Sequence, residues 1–115
     1  MLYVVDDDIV IAKCIARACG EREVKLFGNA IDVMNTISEG DLPELMFLDI
    51  LLTGPDGFTL LNEMASYTDT AQIPVVLVTS LDMSGRDLSR YGVVGVLEKG
   101  TMKPEDVRYY AEKYA

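Results

Sequence analysis

Short apolar runs alternate with helical segments along this 115-residue chain, and that alternation limits its possible folds more than any other feature. The apolar runs have the length and composition of buried parallel strands. They are Leu2–Val5, Val24–Phe27, Leu45–Leu48, Val75–Val78 and Val93–Leu97. The helical patterns between them cover about Ile9–Cys19, Ala30–Ser38, Phe58–Tyr67, Ser84–Tyr91 and Pro104–Tyr114. Five such alternations predict an α/β protein with a doubly wound, five-stranded parallel sheet flanked by five helices.

Composition and charge argue against several classes of function. A net charge of −9 argues against nucleic acid or an anionic membrane as the direct partner. No apolar run approaches the roughly 20 residues that span a bilayer, so we expect a cytoplasmic protein. The absence of histidine excludes Ser–His and Cys–His catalysis within the chain. Cys14 and Cys19 lie five residues apart in one predicted helix, too far for a disulfide, and we expect both to be small buried hydrophobes.

Polar side chains follow four of the predicted strands. In open parallel sheets, ligands bind outside the carboxyl ends of the strands, so these side chains are expected to share one edge. The residues are Asp6, Asp7 and Asp8 after the first strand, Asp49 after the third, Thr79 and Ser80 after the fourth, and Glu98 and Lys99 after the fifth. The sequence therefore predicts a site of carboxylates, a hydroxyl and an ammonium group.

The acidic residues at this edge predict a metal ion. Like charges about 4–5 Å apart repel by roughly 3–4 kcal/mol at an effective dielectric near 20, which a dication would offset. Carboxylate oxygens without histidine or thiolate ligands favour Mg²⁺ or Mn²⁺. Beside such an ion, Asp49 can attack phosphorus as a nucleophile and form an aspartyl-phosphate. Thr79 and Lys99 would then hold the phosphoryl oxygens.

Taken together, these motifs resemble the receiver domains of two-component response regulators over essentially the whole chain. They are VVDDD with Asp6 and Asp7, FLDI with Asp49, the Asp56–Gly57 turn, VLVTS with Thr79, and VLEKG with Lys99. The resemblance implies a flavodoxin-like sheet of order 2-1-3-4-5. It also implies that Asp49 takes a phosphoryl group with Mg²⁺ (or Mn²⁺) and that the protein then switches conformation to control an output.

The resemblance also assigns individual roles. Asp6, Asp7, Asp49 and the backbone carbonyl of Leu51 become the metal ligands, whereas we expect Asp8 to cap the first helix. The partners become a sensor histidine kinase or a histidine phosphotransfer protein, with a homodimer through the face of the last two helices as a further expectation. We expect one receiver domain over residues 1–115, with no output domain and no separate substrate turnover.

Three positions depart from the family pattern. Thr53 stands where proline is usual, four residues after the phosphoacceptor, and Pro55 comes two residues later. Gly100 stands where a proline, often after a cis bond, commonly follows the lysine, so we expect a trans Lys99–Gly100 bond. Val96 occupies the aromatic switch position that normally acts together with the Thr79 hydroxyl. With no ring to turn, the response is expected to be carried by the weakly anchored segment Ser84–Tyr91.

Two other functions fit parts of the pattern. The first is a pseudo-receiver, a protein-interaction module that keeps the fold without phosphorylation; the complete acidic set, Thr79 and Lys99 argue against it. The second is an aspartate-nucleophile phosphatase of the haloacid dehalogenase type, because Asp6 and Asp8 form a D-x-D after the first strand. That class leaves Asp49 without a role, and turnover of a phosphomonoester would distinguish it.

Overall fold

Five parallel strands form one sheet in the order β2-β1-β3-β4-β5 in the computed structural model, which describes all 115 residues. The strands are β1 (Leu2–Val5), β2 (Val24–Phe27), β3 (Leu45–Leu48), β4 (Val75–Thr79) and β5 (Val93–Glu98). The helices are α1 (Ile9–Ala18), α2 (Ala30–Ser38), α3 (Gly57–Ala65), α4 (Thr68–Ala71) and α5 (Pro104–Tyr114). The predicted fold class and strand order are confirmed.

Helices cover both faces of the sheet, which explains why the three central strands are apolar except for Thr79 at the end of β4. Every residue of β1, β3 and β4 is buried. One core lies under α2 and α3 and includes Tyr3 and Leu61, whereas the other lies under α1 and α5 and includes Ile15 and Val107. The edge strand β5 alternates between half-buried and exposed residues. None of the helices has the length and apolar character needed to cross a bilayer.

Helix α1 begins at the acidic run, and its first turn confirms one prediction. The carboxylate of Asp8 accepts hydrogen bonds from the backbone N–H groups of Val10 and Ile11, as an N-cap does. Cys19 is buried as predicted, but Cys14 is exposed, so the prediction of two buried thiols is wrong for Cys14. The buried face of α1 consists of Ala12, Ile15 and Ala18. Cys14 precedes Ile15 and lies about 100° around the helix from it, so its side chain falls outside this face.

The predicted helix Ser84–Tyr91 is not formed, except for one 3-10 turn at Ser89–Tyr91. Gly85 has a φ of +77°, which interrupts a right-handed helix. The carboxylates of Asp82 and Asp87 accept the N–H groups of Ser84 and Ser89, so local turns take the place of helical hydrogen bonds. The connection from β4 to β5 is therefore a loop. The homodimer surface expected on the last two predicted helices consequently lacks the first of them and retains only α5.

Candidate metal centre

The carboxyl ends of β1 and β3 bring three carboxylates together. Asp6, Asp7 and Asp49 each offer an oxygen, and these oxygens lie within 4.8 Å of one another. The Asp49 N–H donates to the Val5 carbonyl at 2.9 Å, which continues the β1–β3 pairing into the site. Asp6 and Asp49 are each only 3% exposed, whereas Asp7 is exposed. The predicted acidic cluster is thus present, and its oxygen donors fit a hard divalent cation.

Lys99, at the end of β5, supplies the positive charge of the site. Its Nζ lies 3.0 Å from Oδ2 of Asp6 and 3.0 Å from Oδ2 of Asp49, and it donates a well-directed hydrogen bond to Asp49. Burial by itself lowers the pKa of Lys99, but the hydrogen bonds and charges of Asp49 and Asp6 outweigh burial and raise that pKa. Lys99 therefore remains an ammonium ion between the two buried carboxylates.

The two oxygens of the buried Asp6 carboxylate have different partners. Its Oδ1 accepts the Asp8 N–H at 2.9 Å, whereas its buried Oδ2 has the ion pair with Lys99 at 3.0 Å but no well-directed hydrogen bond. Burial raises the pKa of Asp6; the Asp8 N–H and Lys99 lower that pKa in part, and the charge of Asp49 raises it further. Lys99 is shared between Asp6 and Asp49, so a divalent cation beside Asp6 would further reduce the cost of burying its charge.

The loop after β3 contributes backbone groups and one hydroxyl. The Leu51 N–H donates to Asp49 Oδ1 at 3.1 Å, and the Leu51 carbonyl accepts no backbone hydrogen bond, which leaves it available to a cation. The Thr53 hydroxyl donates to Oδ2 of Asp7 at 3.1 Å. Sequence reasoning identified Thr53 only as a departure from the family, because nothing in its spacing shows that its hydroxyl reaches Asp7.

Gly57 fixes the start of α3 against the site. A Cβ on Gly57 would lie 2.7 Å from the Asp49 carbonyl oxygen and 2.8 Å from the Ile50 Cα. The Gly57 N–H donates to the Ile50 carbonyl at 2.9 Å. The Asp56–Gly57 motif therefore has two parts: Asp56 caps α3, and Gly57 allows the helix to approach the Asp49 backbone.

Thr79 ends β4 inside the protein. Its side chain is fully buried, and its Oγ1 accepts the Leu81 N–H at 3.1 Å, so its own O–H remains free to donate. The Thr79 carbonyl accepts the Lys99 N–H at 3.0 Å, which ties the ends of β4 and β5 together. Hydrogen bonds with neighbouring backbone groups therefore fix the positions of Thr79 and Lys99, the polar residues predicted at the ends of β4 and β5.

The region around Val96 and Gly100 shows the consequences of the other two departures. Val96 is 43% exposed and lines a pocket of about 630 Å³ together with Met83 and Glu98. The Lys99–Gly100 bond is trans, as predicted. Gly100 has no positive φ, and a Cβ there would meet only the Glu98 side chain at 3.7 Å. Lys99 thus reaches the carboxylates without any special glycine conformation at residue 100.

A parallel sheet of this order, with clustered carboxylates and a lysine at its carboxyl edge, defines the class of receiver domains. Residues 2–110 match the family model described as the response regulator receiver domain. The chain belongs to this family, and is thus the receiver domain of a response regulator.

Similar proteins agree with this assignment. The response regulator PleD of Caulobacter vibrioides is 44% identical over 45 residues, a stretch that covers 39% of this chain and 10% of PleD. The crystal structure of the receiver domain of NtrX from Brucella abortus is 27% identical, with a TM-score of 0.82 over 99% of this chain and 97% of that one. A Francisella receiver domain, response regulator 1452, is 18% identical with a TM-score of 0.82 over 98% and 93% of the two chains, and shows the fold alone.

Proposed function

We propose that Asp49 accepts a phosphoryl group from a sensor histidine kinase or a histidine phosphotransfer protein, in the presence of Mg²⁺ (or Mn²⁺). One observation carries the proposal: three carboxylates that include Asp49 have oxygens within 4.8 Å of one another, and Lys99 pairs with only two of them, Asp6 and Asp49. The ligands would be Asp6, Asp7, Asp49 and the Leu51 carbonyl. A bound dication would supply positive charge opposite the phosphoryl oxygens.

The protein groups around Asp49 support its role as the nucleophile. The Leu51 N–H holds one carboxylate oxygen and Lys99 holds the other, so the carboxylate has a fixed orientation. In the proposed transfer, an Asp49 oxygen forms a bond to phosphorus while the phosphorus–nitrogen bond of the donor phosphohistidine breaks, and the leaving nitrogen keeps the electron pair.

Two side chains would then stabilise the phosphorylated state. Lys99 is already beside the nucleophile and would pair with a phosphoryl oxygen, a charge-assisted contact. Thr79 has a hydroxyl proton that no group in the protein accepts, so it can donate to another phosphoryl oxygen. Thr79 is therefore the proposed switch residue, and Val96 provides no aromatic ring to follow its movement.

The phosphoryl donor would dock where apolar side chains border the acidic cluster. Ile9 and Val10 begin α1 directly after the acidic run and are 55% and 66% exposed, and Leu51 is 53% exposed. Burial of such side chains would provide affinity, while the site itself provides the chemistry. Because the proposed donors act in the cytoplasm, we place residues 1–115 there as one receiver unit.

Phosphorylation by a small donor tests the proposal. Acetyl phosphate with Mg²⁺ should add one phosphoryl group by intact-mass measurement, and Asp49→Asn should abolish the addition. Asp8→Asn is the matched control, because asparagine caps helices as well as aspartate and the variant should be modified normally. No addition to the natural protein, or an addition that persists in Asp49→Asn, would refute the proposal; turnover of a phosphomonoester would indicate a phosphatase.

A further inference from the structure

The side chain of Thr53 connects two parts of the site that are distant in sequence. Thr53 lies between β3 and α3, and its Oγ1 donates to Oδ2 of Asp7, 46 residues earlier, at 3.1 Å. This hydrogen bond joins the end of β1 to the loop that follows Asp49. A proline at this position, which is usual in the family, has no hydroxyl and could not make it.

Asp7 has no other partner in the protein. Lys99 forms ion pairs with Asp6 and Asp49 but not with Asp7, and the Asp8 N–H donates to Asp6. The carboxylate of Asp7 is exposed and adjacent to two other carboxylates. Without a partner, charge repulsion would favour rotation of Asp7 away from the cluster, toward water.

The loop that carries Thr53 is held on both sides. The preceding residue, Leu52, is buried in the core, 9% exposed. The following residue, Gly54, adopts a φ of +79°, and Asp56 then caps α3. The Thr53 hydroxyl is therefore presented to Asp7 by a loop whose path is set by packing and capping.

We propose that Thr53 is a positioning residue for metal binding: it holds one oxygen of Asp7 and leaves the other for the cation. This inference rests on the proposed metal site. Carboxylates that bind metals are commonly held by a further hydrogen bond, and loss of that bond typically costs 10- to 100-fold in affinity. The contact between Thr53 and Asp7 is exposed, which places the expected effect at the lower end of that range.

The Mn²⁺ affinity of three unphosphorylated proteins tests the inference. Free Mn²⁺ is measured by electron paramagnetic resonance during titration, with Mn²⁺ as the only added ligand. Thr53→Val removes the hydroxyl at nearly constant shape and should weaken binding by about 10-fold. Thr53→Ser keeps the hydroxyl and should bind within about 2-fold of the natural protein. Urea unfolding in EDTA should be similar for all three, because residue 53 is exposed.

The outcomes separate this inference from the function on which it rests. Unchanged or tighter binding by Thr53→Val overturns the role of Thr53, as does an equal loss in Thr53→Ser. The Asp7→Ala variant is measured alongside them. If Asp7→Ala binds Mn²⁺ normally, the proposed metal site is itself wrong; if only Asp7→Ala loses affinity, the site stands and Thr53 has no part in it.

Discussion

Gly57 shows at the residue scale that the site depends on a side chain being absent. We predict that Gly57→Ala destabilises the protein by about 1–3 kcal/mol, since the new Cβ would overlap the backbone of Asp49 and Ile50. Gly28→Ala is the matched control, because a Cβ on Gly28 meets no atom within 4 Å and Gly28 has no positive φ. Urea unfolding measures both variants. If Gly57→Ala and Gly28→Ala have equal free energies of unfolding, the close packing of Gly57 against the Asp49 and Ile50 backbone does not require glycine.

Asp6 is a residue whose ionisation should oppose folding when no metal is bound. Burial raises the pKa of Asp6, and the Asp8 N–H and Lys99 offset that rise only in part. A group with a raised pKa contributes its stability below its unfolded pKa, about 3.9, and loses it as the pH rises through its folded pKa. In the absence of metal, ionisation of Asp6 as the pH rises through its folded pKa therefore lowers the stability of the fold.

The corresponding prediction concerns Asp6→Asn in EDTA. At about pH 7 this variant should have a larger free energy of unfolding than the natural protein, and the difference should shrink as the pH falls toward the unfolded pKa of Asp6, about 3.9. Urea unfolding at several pH values provides the measurement. A difference that is constant with pH, or of the opposite sign, would show that Lys99 and the Asp8 N–H stabilise the ionised Asp6 adequately without a metal ion.

The loop of residues 80–92 is the element in which sequence and structure differ most. Apolar spacing predicted a helix there, but Gly85 and the side-chain hydrogen bonds of Asp82 and Asp87 stabilise turns instead. Such local hydrogen bonds compete with helix formation and leave no mark on hydrophobic periodicity. Met83 and Leu88 anchor this loop to the core, since both are buried.

The same loop should respond most to phosphorylation. The Leu81 N–H donates to Thr79 Oγ1, so a movement of Thr79 toward the phosphoryl group would release the start of the loop. We predict that beryllofluoride, a phosphoryl mimic, changes NMR shifts mainly at residues 79–91 and 99–101, with modest changes at Val96. Because Val96 is short and stiff at χ1, it cannot swing between buried and exposed positions. A large rearrangement centred on Val96, with residues 79–91 unchanged, would contradict this prediction.

At the scale of the whole molecule, metal binding should stabilise the entire fold. A ligand present at 100 times its dissociation constant stabilises a folded protein by about 2.7 kcal/mol. We predict that Mg²⁺ raises the thermal midpoint of the natural protein and has little effect on Asp7→Ala. Asp8→Ala should lose about 0.5–2 kcal/mol through its missing cap but keep the response to Mg²⁺. If Asp7→Ala and Asp8→Ala lose the response to Mg²⁺ equally, the assignment of Asp7 as a metal ligand and Asp8 as only a helix cap is wrong.

The fold and the outline of the site were predictable from sequence because both depend on residues at strand ends. Five apolar runs implied a parallel sheet, and a parallel sheet places Asp6, Asp49 and Lys99 at one edge. What could not be predicted depends on loop geometry and close packing. The Thr53–Asp7 hydrogen bond and the approach of Gly57 to Asp49 join segments whose relative positions no periodicity specifies.

The most direct test of the central proposal identifies the residue that carries the phosphoryl group. After reaction with acetyl phosphate and Mg²⁺, borohydride reduces an aspartyl-phosphate to homoserine, and peptide mass spectrometry locates the reduced residue. We predict homoserine at position 49 alone, and none when Mg²⁺ is replaced by EDTA. Homoserine at Asp6, Asp7 or Asp8, or a phosphorylated protein with none at position 49, would contradict the account.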